Sequence, residues 1–389
     1  MTVLYLPSAD RSLHPFKPEA PKPFPTLPAT GGKARIAYAA AHVVADPLAD
    51  ADPWLDPVID WETTLAYRTW LWSLGLGVAE AMDTAQRGMG LDWPRSLELI
   101  QRSLRLAKGT DGAMIACGAG TDHLAPDPGL SLRDVQTAYE DQCGAIEAEG
   151  GRLILMASRA LAAVAKGPED YAAVYSAILR QVKEPVILHW LGDMFDPALA
   201  GYWGHKDLDR AMDVCLSVIG DHADKVDGIK VSLLDKDKEI AMRRRLPAGV
   251  RMYSGDDFNY PELIEGDDRG YSDALLGIFD AIAPAASGAM AALEAGDRKR
   301  YHEIFDPTVP LSRLIFKAPT RFYKTGVVFM AWLNGHQDHF TMVGGQQSAR
   351  SLLHFAEIFR LASAAGLLRD PDMAVSRMRH LMALHGMES

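Results

Sequence analysis

Short apolar runs recur along the chain, and between most of them lies a longer stretch whose apolar positions return every three or four residues. The runs 35–44 (RIAYAAAHVV), 76–82 (LGVAEAM), 112–117 (GAMIAC), 152–156 (RLILM), 185–189 (PVILH), 226–231 (VDGIKV) and 250–254 (VRMYS) predict buried strands. The stretches 60–75, 93–107, 131–148, 168–182, 208–219 and 239–246 predict helices. Pro168 opens one of them and Gly75 closes another, positions that helices favour for these residues. An eighth and less regular unit runs from Gly270-Tyr271-Ser272 into the apolar run 274–282. Strands that alternate with helices build parallel βαβ units, and eight such units predict a closed (β/α)₈ TIM barrel. The rival, an open doubly wound sheet, announces itself by a glycine fingerprint after its first strand. Here ADPLADADP follows Val44 instead, without a glycine.

The two ends break this rhythm. Residues 14–32 are rich in proline and finish in Thr30-Gly31-Gly32, so 1–32 reads as an extended arm packed on the surface or a partly ordered leader, not a domain. Residues 284–389 offer one strand candidate, 327–333, and otherwise several helices, among them 346–365. The expected organisation is therefore an arm (1–32), the barrel (33–283) and a C-terminal helical extension packed on it (284–389).

Composition narrows the function. The 389 residues carry a formal net charge of −11 with both signs interspersed, which speaks against a nucleic-acid backbone as partner. Three scattered cysteines, Cys117, Cys143 and Cys215, predict neither a disulfide framework nor a structural zinc site, and favour a reducing compartment. The N-terminus lacks the apolar core and cleavage site of a secretory signal, and no run approaches the length of a membrane span. A cytoplasmic protein acting on a small molecule, with no membrane partner, is the expectation.

Catalytic groups of a barrel stand at the C-terminal ends of its strands. Those ends supply His42, Asp83 with Thr84, Arg159, His189, Lys230, and Asp256 with Asp257. Lys230 sits inside the apolar strand VDGIKV. A desolvated lysine loses its proton more easily and attacks carbonyls to form an iminium; the bland alternative is a strand-end lysine reaching to solvent or pairing with Asp256. Elsewhere, His336 and His339 flank Asp338 in what reads as a solvated loop, and Lys324 in Tyr323-Lys324-Thr325-Gly326 reads as structural.

Three segments in order resemble the dihydrodipicolinate synthase and N-acetylneuraminate lyase family. PVILHW (185–190) is similar to its fifth strand, GIK (228–230) to its Schiff-base strand and RMYSGDD (251–257) to its seventh. The stretch through GYS (270–272) to Pro284 resembles its eighth strand and the start of its C-terminal helices. The resemblance implies a barrel with a helical extension, a homodimer or homotetramer, and a cofactor-independent class I lyase, an aldolase or dehydratase, whose imine forms on Lys230. The chain also departs from the family. His189 stands where the family has a proton-relaying tyrosine, and a histidine can take over such a relay. In place of a Gly-Thr-Thr-Gly-Glu loop that holds a pyruvate-like carboxylate, it has MDTAQRGM (82–89), keeping only the hydroxyl of Thr84 and adding Asp83. Carboxylates accept hydrogen bonds from hydroxyls, which suits a sugar-derived ketone or 2-oxo acid. Asp83, Thr84, Gly255, Asp257, Ser272 and His42 are accordingly expected around the substrate, Asp257 and Ser272 by likeness to the sialic acid lyase branch. The alternative is a metal-dependent barrel isomerase, epimerase or class II aldolase in which His42, Asp83, His189 and Asp257 hold zinc or manganese. A non-catalytic sugar-binding or scaffold barrel is the third reading, and the ionisable strand ends speak against it.

Overall fold

The computed structural model describes residues 3–387. Eight parallel strands close into a barrel: β3 (Ala37–Ala40), β4 (Gly77–Glu80), β5 (Ile115–Ala119), β6 (Leu153–Leu155), β7 (Val186–Leu191), β8 (Val226–Ser232), β9 (Arg251–Ser254) and β10 (Asp273–Leu276), with β10 returning to β3. Two earlier strands, β1 (Leu4–Pro7) and β2 (Leu13–Phe16), form a separate antiparallel hairpin.

Because strand side chains alternate, every second residue fills the barrel. Tyr38, Ala40, Ala79, Ala116, Ile154, Ile187, Tyr253 and Leu275 pack together there, apart from the main core between strands and helices. The helices start where their side chains can satisfy orphan amides. Asp60 caps Trp61–Ser73, Asp92 caps Trp93–Lys108, and Ser131 with Asp134 forms a capping box on Leu132–Ala148.

A buried ion pair fixes the mouth beside β3 and β4. Arg68 donates to both Glu80 oxygens at 2.9 Å and also to the His42 carbonyl, while Ser103 donates to Glu80 at 2.6 Å. A buried charge pair with its remaining lone pairs satisfied sets geometry more than it adds stability.

Beyond the barrel lie Ala283–Glu294, Arg298–Phe305, Val309–Ile315, Tyr323–Leu333, Leu352–Ala364 and Pro371–Leu384, all helical. The strand candidate at 327–333 is corrected: it belongs to Tyr323–Leu333, a helix buried on every side. An apolar run carries no period when all faces are covered. The helix expected from Gln346 begins at Leu352, capped by Ser351; Gln346 lies in a preceding turn where Gly344 and Gly345 both take φ 64°. The N-terminal arm is tied to these helices. Leu4 and Leu6 are fully buried, Phe16 meets Phe359 edge-on, and Lys22 donates its amide to the Gly366 carbonyl at 3.1 Å. Among the described residues no helix is long and apolar enough to cross a membrane. Cys117, Cys143 and Cys215 are buried free thiols.

Candidate active site

His189 and Lys230 are direct neighbours across β7 and β8, in register with each other, and Lys230 is in register with Tyr253 on β9. Paired residues of parallel strands point to the same face, so both side chains enter the barrel interior above Ile187 and Tyr253. Lys230 is 7% exposed and His189 2%. Burial pulls the Lys230 ammonium below its ordinary value, while the charges of Asp257 and Asp83 hold it up. Among the described residues no direct ion pair joins it to either carboxylate, so space for a reacting group is not taken by a salt bridge.

Gly255 explains how the lysine reaches its place. A Cβ there would stand 2.9 Å from Lys230 Cε, 2.6 Å from the Val231 carbonyl and 2.3 Å from Ser232 Oγ. The position therefore lets the lysine stem pass over the end of β9, a steric service rather than a contact of its own with substrate.

Asp257 is buried, accepts the Ile278 amide at 2.9 Å, and its carboxyl is pushed up to about 7 by burial, against the Ile278 bond and the Lys230 charge. Its shift and that of Lys230 converge from opposite ends of the scale. His189 holds Ser232 Oγ at 3.2 Å through Nε2 and leaves Nδ1 unpartnered. Burial and the Lys230 charge hold the imidazole well below its ordinary pKa, so it is neutral at neutral pH.

Asp83 and Thr84 open a short turn directly after β4. Asp83 lines two adjoining cavities. One, of about 70 Å³, is shared with His189, Leu191, Arg159 and Arg87; the other, of about 440 Å³, with Leu191, Arg159, Tyr323 and Lys324. Lys230, in register with His189, is not among the residues of their walls. Thr84 is buried and shares a 2.8 Å hydrogen bond with the hydroxyl of Tyr323, whose ring stacks on Phe316.

Two expected substrate contacts are elsewhere. Ser272 precedes β10 and so lies toward the opposite end of that strand from the mouth; it donates to Glu239 at 2.7 Å in the layer between strands and helices. His42 follows β3 but is held by Asp280, through Nδ1 at 2.8 Å and through its backbone amide at 2.8 Å, with Tyr67 against its ring. Asp256 is spent on the turn after β9, where its carboxylate accepts from the Phe258 and Asn259 amides. Arg159 pairs with Asp196 at the cavity rim. His42, Asp83, His189 and Asp257 are thus not assembled around one point. Among the described residues no three His, Cys, Asp or Glu side chains stand together as metal ligands.

Two residues read from the sequence as merely structural come from the extension. Tyr323 and Lys324 open the helix Tyr323–Leu333 and bring a hydroxyl and an ammonium to the barrel mouth. The signal was present: a lysine at the head of an otherwise apolar, aromatic-rich segment. The 336–339 stretch is not a solvated loop either, since His336 packs on Trp70 with ring centroids 4.1 Å apart.

The fold is that of known dihydrodipicolinate synthases. The enzyme of Bacillus clausii superposes with a TM-score of 0.63 at 14% identity, over 86% of this chain and 99% of that one. That of Aquifex aeolicus gives 0.59 at 11% identity over 90% and 98%, and that of Oceanobacillus iheyensis 0.56 at 14% over 82% and 89%. No curated protein matches the chain by sequence. The model of one family, described as "Protein of unknown function (DUF993)", matches residues 4–387, and the chain belongs to that family, as a divergent branch on the dihydrodipicolinate synthase fold.

Proposed function

We propose that the protein is a class I lyase, an aldolase or dehydratase, that forms its imine on Lys230 with a sugar-derived ketone or 2-oxo acid. The observation that carries the reading is the placement of a buried lysine inside the barrel, beside a neutral histidine and near two carboxylates that do not bind it directly.

The chemistry follows from those surroundings. Burial disfavours the charged forms of both Lys230 and Asp257, so a proton passes from ammonium to carboxylate at little cost. The freed amine attacks the ketone carbon, and the proton on Asp257 leaves with the carbinolamine oxygen as water. The iminium formed on Lys230 is an electron sink. For cleavage, the β-hydroxyl gives its proton to Nδ1 of His189, the C–C bond breaks as the hydroxyl carbon becomes a carbonyl, and the electron pair moves into the enamine. The enamine carbon then regains a proton, and water releases the second product from Lys230. Dehydration starts from the same iminium by loss of an α-proton and then of the β-hydroxyl. Asp83 stands where it can accept hydrogen bonds from substrate hydroxyls.

Borohydride reduction in the presence of a panel of 2-oxo acids and ketoses tests the proposal, with mass spectrometry locating the adduct. A stable adduct on Lys230 is expected, and none in Lys230→Arg, whose guanidinium keeps its proton. Adduct formation in that variant at the wild-type level would refute Lys230 as the covalent catalyst.

A further inference from the structure

The larger cavity at the mouth is bipolar. Its lining brings the cations Arg159, Arg321 and Lys324 together with two carboxylates, Asp83 and Asp196. Asp196 is already paired with Arg159. Lys324 is the unusual member. It is only 4% exposed, yet its ammonium contacts no carboxylate: its neighbours are the Arg321 carbonyl and Met89 Sδ, each at 3.2 Å. The charges of Asp83 and Asp196 reach it only at longer range, and a buried ammonium with no anion in contact is costly, which leaves it free to meet an arriving one. Burial also brings its pKa down to about 8, which an arriving anion would raise again. The cavity, about 440 Å³, falls within the range of small-molecule sites.

The backbone is shaped to the same end. Gly88 takes φ 68°, and a Cβ there would stand 2.9 Å from Arg159 Nη1, so glycine keeps the arginine's approach to the cavity open. On the other side, the helix that begins at Tyr323 fixes Lys324 while Tyr323 is fastened to Thr84.

We propose that Lys324, with Arg321 and Arg159, forms an anion subsite that grips the terminal phosphate or carboxylate of the substrate, with its reacting carbonyl directed inward toward Lys230. The substrate class is then an anion-terminated hydroxyketone, and a phosphomonoester fits best. Its dianion offers three acceptor oxygens to cations on two separate segments, whereas one carboxylate plane satisfies fewer. Anionic substrates held in this way owe their selection to a cation pair contributed largely by the C-terminal region, not by the loop after β4 alone.

This inference rests on the lyase reading only for the direction of the substrate, so its test does not use turnover. Inorganic phosphate and, separately, acetate are titrated calorimetrically into the full chain at pH 7. Wild type and Lys230→Arg should bind phosphate alike, which keeps this site separable from imine formation. Lys324→Met should weaken phosphate at least about tenfold, the scale of one lost hydrogen bond to a charged group. Arg321→Ala, at an exposed position that leaves the fold alone, should weaken it about two- to fivefold. Acetate that binds more tightly than phosphate with the same dependence on Lys324 would identify the anion as a carboxylate. Phosphate and acetate affinities unchanged in a folded Lys324→Met, or no binding of either by wild type, would overturn the proposal.

Discussion

Glu239→Gln should make the protein more stable, by an amount that grows as the pH rises. Glu239 lies outside the barrel wall on the helix Lys236–Arg243, fully buried, where it accepts from Ser272 Oγ at 2.7 Å and Ser254 Oγ at 3.1 Å. Two hydroxyls do not compensate a desolvated carboxylate, and burial pushes the acid up to about 8, with the serine bonds opposing. In the unfolded chain the ordinary value is 4.5. Between those two values the folded protein holds a proton that the unfolded chain has released. Stability therefore falls as the pH rises from about 4.5 to about 8 and levels off above. Each unit of the window is worth about 1.4 kcal/mol, up to roughly 5 kcal/mol in all. Glutamine has nearly the same shape, keeps an acceptor, offers a donor to a serine oxygen and does not titrate. Urea denaturation of both proteins from pH 5 to 8.5 isolates the effect, since the other titrating groups cancel in the difference. The glutamine variant should gain several kcal/mol on wild type across that range. A difference independent of pH, or one that shrinks toward alkaline pH, would refute the account of Glu239.

Two further outcomes concern the mouth. Gly255→Ala should cost about 1–3 kcal/mol by overpacking and slow adduct formation, because the new methyl meets Ser232 Oγ and the Lys230 stem; denaturation and borohydride trapping read the two effects, and normal values of both would show that the contact relaxes freely. Asp257→Asn should remove an inflection near pH 7 from the rate of adduct formation, which falls in wild type as Asp257 loses its capacity to hold the transferred proton, whereas His189→Asn should leave that inflection in place. An inflection that disappears with His189 instead would reassign the titrating group.

The fold was legible because barrel strands and helices differ in period. Strand 226–231 and helix 208–219 announce themselves by pattern alone, and the structure places them at Val226–Ser232 and Leu208–Asp221. Period fails where burial is complete: Tyr323–Leu333 carries no polar face, so 327–333 passes for a strand. The hairpin Leu4–Pro7 with Leu13–Phe16 was hidden for another reason, since its partners are helices more than 340 residues away in sequence. Reading strand ends singled out His189, Lys230, Asp83 and Asp257, which follow or end β7, β8, β4 and β9. It overreached at Ser272, which precedes its strand, and at His42, whose ring is claimed by Asp280 from a helix that follows β10. The lone lysine at the head of an apolar segment marked Lys324 as unusual, but its place at the mouth depends on how the extension packs.

The clasp between the chain's two ends has a consequence for synthesis on the ribosome. The Glu19 amide is satisfied by Ser363 Oγ, 344 residues later, and the Val3 carbonyl by Arg379, 376 residues later. At about 5–20 residues per second, the arm waits roughly 20–70 s for its partners to be made. During that interval the hairpin can close on itself, but its Leu4 and Leu6 are left without their docking surface. Docking of the arm thus has to follow synthesis of the helices that carry Ser363 and Arg379.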